Sequence, residues 1–246
     1  MRYDRRITQF FIVIETVIYI TFILLDLTGN APFFSDLLKY SGILLVVGFA
    51  IYRCVKNCDK DLIIVTSALF FTAVADLFLL FFSDNILMLI PGLISFSVTQ
   101  TLYSVHTSTR KCRSVRILIP CLTMITSVCL SCLVGSFLCY DFSVATLVTL
   151  VFYYSITFAA NTARSWMIYL RTSLCSDLFF AVGMTLFVLC DINILIRHLN
   201  SFFSGTIPGG MVSAAVFLSW VFYLPAQVFI GMYGTFRDHA GSYTFA

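Results

Sequence analysis

Eight apolar stretches, each about long enough to cross a bilayer as a helix, follow one another along this chain with only short breaks of charge, glycine or proline between them. They lie at 7–27, 36–55, 62–82, 86–105, 115–136, 142–161, 178–196 and 211–236. A single such run is compatible with a buried core helix; eight in 246 residues are not. With 60% hydrophobic and 11% charged residues, and a mean hydropathy of +0.97, too little polar surface remains to cover a water-soluble globule. The expected fold is an all-α integral membrane protein, a bundle of about eight transmembrane helices. The chain has no linker or low-complexity tract, so 1–246 is expected to form one polytopic membrane domain.

The basic residues set the orientation, because Lys and Arg accumulate in cytoplasmic loops. Arg2, Arg5 and Arg6 precede the first run, and Arg53, Lys56 and Lys60 fall after the second. Arg110, Lys111, Arg113 and Arg116 fall after the fourth, Arg164 and Arg171 after the sixth, and Arg237 after the eighth. Thirteen of the fifteen Lys and Arg thus share one side, which leaves only Lys39 and Arg197 near the other. Both termini are expected in the cytoplasm. The first run is too long for a signal-peptide core and has no small-residue cleavage site at Leu25-Asp26-Leu27, so it is expected to be a retained helix. A net charge of +3 gives no reason to expect a nucleic-acid partner.

Several chemistries lack their residues. Cys121, Cys129, Cys132, Cys175 and Cys190 sit in or beside apolar runs, where a thiol is expected to serve as a small core hydrophobe. Cys54, Cys58 and Cys112 fall on the reducing side. His106, His198 and His239 lie at span ends, and none has a second His or a carboxylate one helical turn away. No convergent set suits a zinc hydrolase, and neither a nucleophile elbow nor a glycine-rich phosphate loop is present. No metal or cofactor is expected.

The informative residues are ionisable groups inside the spans, each costing about 2.5–3.5 kcal/mol at the centre of a lone helix. They are Glu15, Lys39, Asp76 and Asp191. Asp26, Asp36, Asp84, Asp141 and Asp177 lie at span ends, where solvated caps are expected. Asp76 and Asp191 each fall about six residues before the outer end of their runs, roughly 9 Å below the boundary. Lys39 enters the second run from the same side. Two carboxylates and an ammonium at one level are expected either to form a structural ion pair or to act in catalysis. Carboxylates sharing a low-dielectric pocket do not hold their protons alike, so one can serve as acid while the other stays ionised. Gln100 with Tyr103, Tyr223 with Gln227, and Glu15 with Tyr19 each share a helix face and are expected to wall a cavity. Pro225 is expected to kink its helix or to free a backbone carbonyl. Acidic openings at Asp61 and Asp177, 15 and 14 residues before Asp76 and Asp191, suggest a faint parallel repeat of two four-helix halves.

These motifs resemble the YhhN-like transmembrane lysoplasmalogenase family. The run ALFFTAVADLFLL at 68–80 resembles its glycine–aspartate helix, and the stretch from Gly92 to Tyr103 its next helix. Residues 183–191 resemble its serine–aspartate helix, Tyr223 with Gln227 its last, and Lys39 stands where the family has a lysine. Ala75, Cys190, Tyr40 and Gln100 replace the family's glycine, serine, proline and histidine. The resemblance implies that Asp76 and Asp191 are catalytic, and that Lys39, Tyr103 and Gln227 line the site. It also implies hydrolysis of the vinyl ether bond of a lysoplasmalogen, with lysophospholipid and membrane lipid as partners. The alternative is a non-catalytic lipid-binding or transport protein that keeps the same cavity, a reading favoured by Gln100.

Overall fold

Every one of the eight apolar runs forms a helix. The computed structural model describes residues 2–57, 59–82, 86–108, 113–138, 141–202 and 207–235. Their helices are α1 (Arg2–Thr28), α2 (Pro32–Asn57), α3 (Lys60–Phe81), α4 (Ile86–Thr107), α5 (Arg113–Leu138), α6 (Phe142–Thr172), α7 (Cys175–Phe202) and α8 (Gly209–Gly231). Among the described residues there is no strand. Cys58, Asp84, Arg110, Lys111, Cys112, Arg237 and His239 lie outside the described residues, as do the side chains of Arg2, Arg113, Arg116 and His198. Seven helices are long and apolar enough to cross a membrane, while the described apolar stretch of α5, Cys121–Ser136, is shorter. Taken as eight crossings, the bundle has Arg53, Lys60, Arg164 and Arg171 at one end and Lys39 and Arg197 at the other.

Helix ends depart from the apolar runs where helix continues beyond the lipid-facing segment. The clearest case is α6, which runs to Thr172 rather than 161, through Asn161, Arg164 and Arg171, and stops at Ser173 in a left-handed conformation (φ 51°). Hydropathy reports contact with lipid; hydrogen bonding sets the length of the helix.

Neighbours along the chain pack together from α1 to α4 and again from α5 to α8. Between the halves, α4 packs on α6 and α5, and α8 packs on α2 and α1. Exchanging α1–α4 for α5–α8 maps each of these contacts onto another, which supports the four-plus-four repeat. An additional α3–α8 contact seats α8 inside the bundle, whereas α5 lies outside against α6 and α4. Consequently Cys121, Cys129 and Cys132 are exposed free thiols, not the core filler that their apolar setting suggested. Cys190, by contrast, is buried.

Two sequence features govern how the helices meet. Gly183 of α7 lies so close to α8 that a Cβ would come within 2.9 Å of the Ala226 carbonyl oxygen and 3.0 Å of the Ile230 nitrogen. Small residues permit such approach in membranes, where packing rather than the hydrophobic effect joins helices. Pro225 removes the N–H that would bond Val221, and Tyr19 of α1 donates to that carbonyl at 3.1 Å. Tyr19→Phe should therefore lower stability by about 1–3 kcal/mol, measured by unfolding in detergent. No loss would mean that the carbonyl finds another donor.

Candidate functional site

The energetic cost of an intramembrane carboxylate is met here by tyrosines. Asp76 and Asp191 each lie sixteen residues into their helices, from Lys60 in α3 and from Cys175 in α7, so the two reach a common depth. Asp76 is buried, and the Tyr223 hydroxyl from α8 donates to its carboxylate from 2.7 and 2.6 Å off the two oxygens. Asp191 is half-buried; Tyr154 of α6 donates to its Oδ2 at 2.6 Å. The carboxylates are close enough for direct electrostatic interaction, and Tyr40 of α2 and Cys190 fall within the same field. Both expected carboxylates thus lie at one depth on α3 and α7.

Aromatic rings join the two Asp–Tyr pairs. Phe187 of α7 meets Tyr223 at 5.3 Å and Phe158 of α6 at 4.9 Å, edge to face, and Phe158 lies 5.5 Å from Tyr154. Phe96 of α4 is 5.7 Å from Tyr154 and 6.0 Å from Phe187. These rings hold the tyrosine hydroxyls in place and lower the local dielectric, which strengthens the charges at the site.

Lys39 corrects the expected three-charge cluster. Its Nζ lies 3.0 Å from Asp26 of α1 and 3.1 Å from Asp36, with Ser35 donating to Asp26 at 2.6 Å. Asp26 and Asp36 are therefore ion-pair partners, not the solvated ends expected of them. The turn between α1 and α2 folds Asp26 back over Lys39, a contact with no short-range sequence signal. Lys39 reaches the carboxylates only through rings: its Nζ sits 5.1 Å from the Trp220 centroid, and Trp220 meets Tyr223 edge-on at 5.4 Å.

The remaining expected residues fall into two groups. Gln227, one turn below Tyr223, is buried with neither side-chain polar atom hydrogen-bonded. Gln100 accepts from Asn161 Nδ2 at 3.1 Å. Asn161 is seven residues beyond Tyr154 on α6, so Gln100 lies roughly 10 Å deeper than the carboxylates. Tyr103, buried on the next turn of α4, packs on Phe180 at 5.4 Å and lies beside Thr72. Glu15 and Tyr19 meet α8 from another side. A Cβ on Gly42 would come within 3.3 Å of the Glu15 carboxylate and 3.0 Å of Leu224, and Tyr19 bonds Val221. Tyr19 thus meets α8 at Val221 rather than at Tyr223, and Glu15 lies beside Gly42 of α2.

Sequence reasoning missed Tyr154. A tyrosine in an apolar run is ordinary, and its one clue is that Tyr154 and Asn161, seven apart, share a face of α6. Among the described residues no three His, Cys, Asp or Glu are grouped to hold a metal ion.

Fold and site together define a polytopic helical membrane protein with two intramembrane carboxylates, one buried and one half-buried, each clasped by a tyrosine from another helix. The chain belongs to the YhhN family, whose family model matches residues 34–233. That match covers Asp76, Asp191 and every other expected site residue except Glu15 and Tyr19 of α1. No curated protein and no solved structure matches the chain significantly.

Proposed function

We propose that the protein hydrolyses the vinyl ether bond of lysoplasmalogens by metal-free acid–base chemistry between Asp76 and Asp191. The observation that supports this reading is that carboxylates on α3 and α7 lie at a common depth, each held by a tyrosine. A vinyl ether is cleaved by protonation of its β-carbon, which leaves an oxocarbenium ion at the α-carbon. Water adds there and yields its proton to a base. The resulting hemiacetal collapses to a fatty aldehyde and the free glycerol hydroxyl. Only a proton donor and a negative charge beside the cation are required, and general acid–base groups of this kind contribute about 10²–10⁴-fold.

The surroundings of the carboxylates divide the roles. Tyr154 holds one oxygen of the half-buried Asp191, leaving Oδ1 to carry the proton to substrate. Tyr223 holds both oxygens of Asp76, which suits a fixed anion that stabilises the cation and receives the proton from water. The Lys39 charge is engaged by Asp26 and Asp36. The exposed Arg197, six residues beyond Asp191 on α7, is then better placed to take a headgroup phosphate.

A second reading, a lipid-binding or transport protein without catalysis, is favoured by Gln100, which is hydrogen-bonded to Asn161 and cannot titrate near neutrality. The purified protein in detergent, given a lysoplasmalogen beside an acyl lysophospholipid, should release aldehyde from the first only. Retention of the lysolipid without aldehyde would favour the binder.

A further inference from the structure

The interface of α4 and α6 carries a file of buried polar groups that the carboxylate chemistry leaves unused. Asn161 Nδ2 donates to the Gln100 backbone oxygen at 2.8 Å, and one turn further Arg164 donates to Ser104 Oγ at 3.2 Å. These contacts pair residues about sixty apart in the chain. Thr101 with Tyr153, Thr107 with Asn161 and Phe96 with Tyr154 cross the same seam at smaller offsets. Ser97 therefore lies near the level of Tyr154, and Thr157 lies between Tyr154 and Asn161 on α6. The Ser97 and Thr157 hydroxyls are buried and neither has a hydrogen-bond partner among the described residues, although serine and threonine in helices commonly bond the carbonyl one turn back. Gln100 Nε2, at the next level, has none either.

A buried polar atom without a partner is destabilising, because it gives up its bonds to water and gains none. Three of them along one interface would be hard to tolerate in a marginally stable fold. Buried waters meet such a need wherever a site is polar and offers two to four partners. Thr157 lies three residues from Tyr154 on the same face of α6, and Tyr154 donates to Asp191. At the far end, Arg164 is half-exposed.

We propose that the α4–α6 seam binds a file of ordered waters that connects Asp191, through Tyr154, with the end of the bundle where Arg164 lies. Ser97, Thr157 and Gln100 are its binding groups. On the hydrolase reading, the file feeds water to the site and supplies the proton that Asp191 gives away, while the proton that Asp76 takes from water leaves to solvent; its existence does not depend on that reading.

Two measurements on the whole protein in detergent test it. Thr157→Val and Ser97→Ala each remove a hydroxyl with little change of shape. If water bonds these hydroxyls, each variant melts about 2–4 °C lower. If the hydroxyls are dry, removing them relieves an orphaned polar group, and an unchanged or raised melting temperature overturns the proposal. In the second measurement, radiolytic hydroxyl-radical labelling reports water beside aromatic rings. Labelling of Tyr154 should fall about tenfold in the Ser97→Ala/Thr157→Val double variant, as expected when a hydrogen-bonded water chain is broken. Persistent labelling overturns the connection and with it the proposal. Neither measurement requires turnover. A wet seam without aldehyde release rejects the hydrolase alone, and a dry seam with release rejects the water file alone.

Discussion

Asp76→Asn and Asp191→Asn should each reduce aldehyde release by about 10³-fold, within the range that a positioned acid or base contributes. Asparagine keeps the shape of the side chain and still accepts from the tyrosine hydroxyl, so Tyr223 and Tyr154 retain their partners. It neither donates a carboxyl proton nor carries negative charge. The fold should survive, because the substitution removes an intramembrane ionisable group and leaves the packing of Phe187 and Phe158 unchanged. The two variants also separate the roles. A substrate that already bears the oxocarbenium equivalent, the hemiacetal, needs no β-carbon protonation, so Asp191→Asn should spare its collapse more than Asp76→Asn does. Full activity in both variants, measured by aldehyde release in detergent, would end the carboxylate mechanism.

Gly183→Ala and Gly48→Ala should shift stability in opposite directions. At Gly183 an added methyl meets the backbone of α8 at Ala226 and Ile230, which cannot rotate away as a side chain would. Overpacking of this kind costs about 1–3 kcal/mol, and the displacement would also part Phe187 on α7 from Tyr223 on α8, loosening the ring that seats the Asp76 clasp. Activity should therefore fall along with the melting temperature. At Gly48 in α2 nothing lies within 4 Å of the added methyl. There alanine should gain about 0.5–1 kcal/mol from helix propensity. The two melts, compared in one detergent, isolate interhelical contact from the intrinsic cost of glycine. A Gly183→Ala protein as stable as the parent would mean that α7 and α8 slide freely past each other.

The eight helices were legible because lipid imposes one length and one composition on every crossing. Asp76 and Asp191 stood out for the same reason, since a carboxylate in an apolar run has few harmless explanations. Contacts made across the bundle were not legible. Asp36 lies three residues from Lys39, yet the ion pair also needs Asp26 from the preceding helix, and nothing local reveals that. Tyr154 was hidden because tyrosine is common in membrane helices and only its partner makes it informative. The exposure of Cys129 was equally hidden, because hydropathy cannot tell a helix that faces lipid on most sides, as α5 does, from one enclosed by others.

The interchangeable neighbours of the two halves carry a consequence for how this pair of acids came to differ. Under the exchange of α1–α4 for α5–α8, Asp76 and Asp191 occupy corresponding places, as twin copies of one residue in a duplicated four-helix ancestor would. Their clasps do not correspond: Tyr223 reaches Asp76 from the opposite half, whereas Tyr154 reaches Asp191 from within its own. Two such copies facing each other as a symmetric dimer would be equally acidic. One polypeptide frees each half from the other's sequence, so the surroundings of the two aspartates can differ at the tyrosines while the aspartates stay alike.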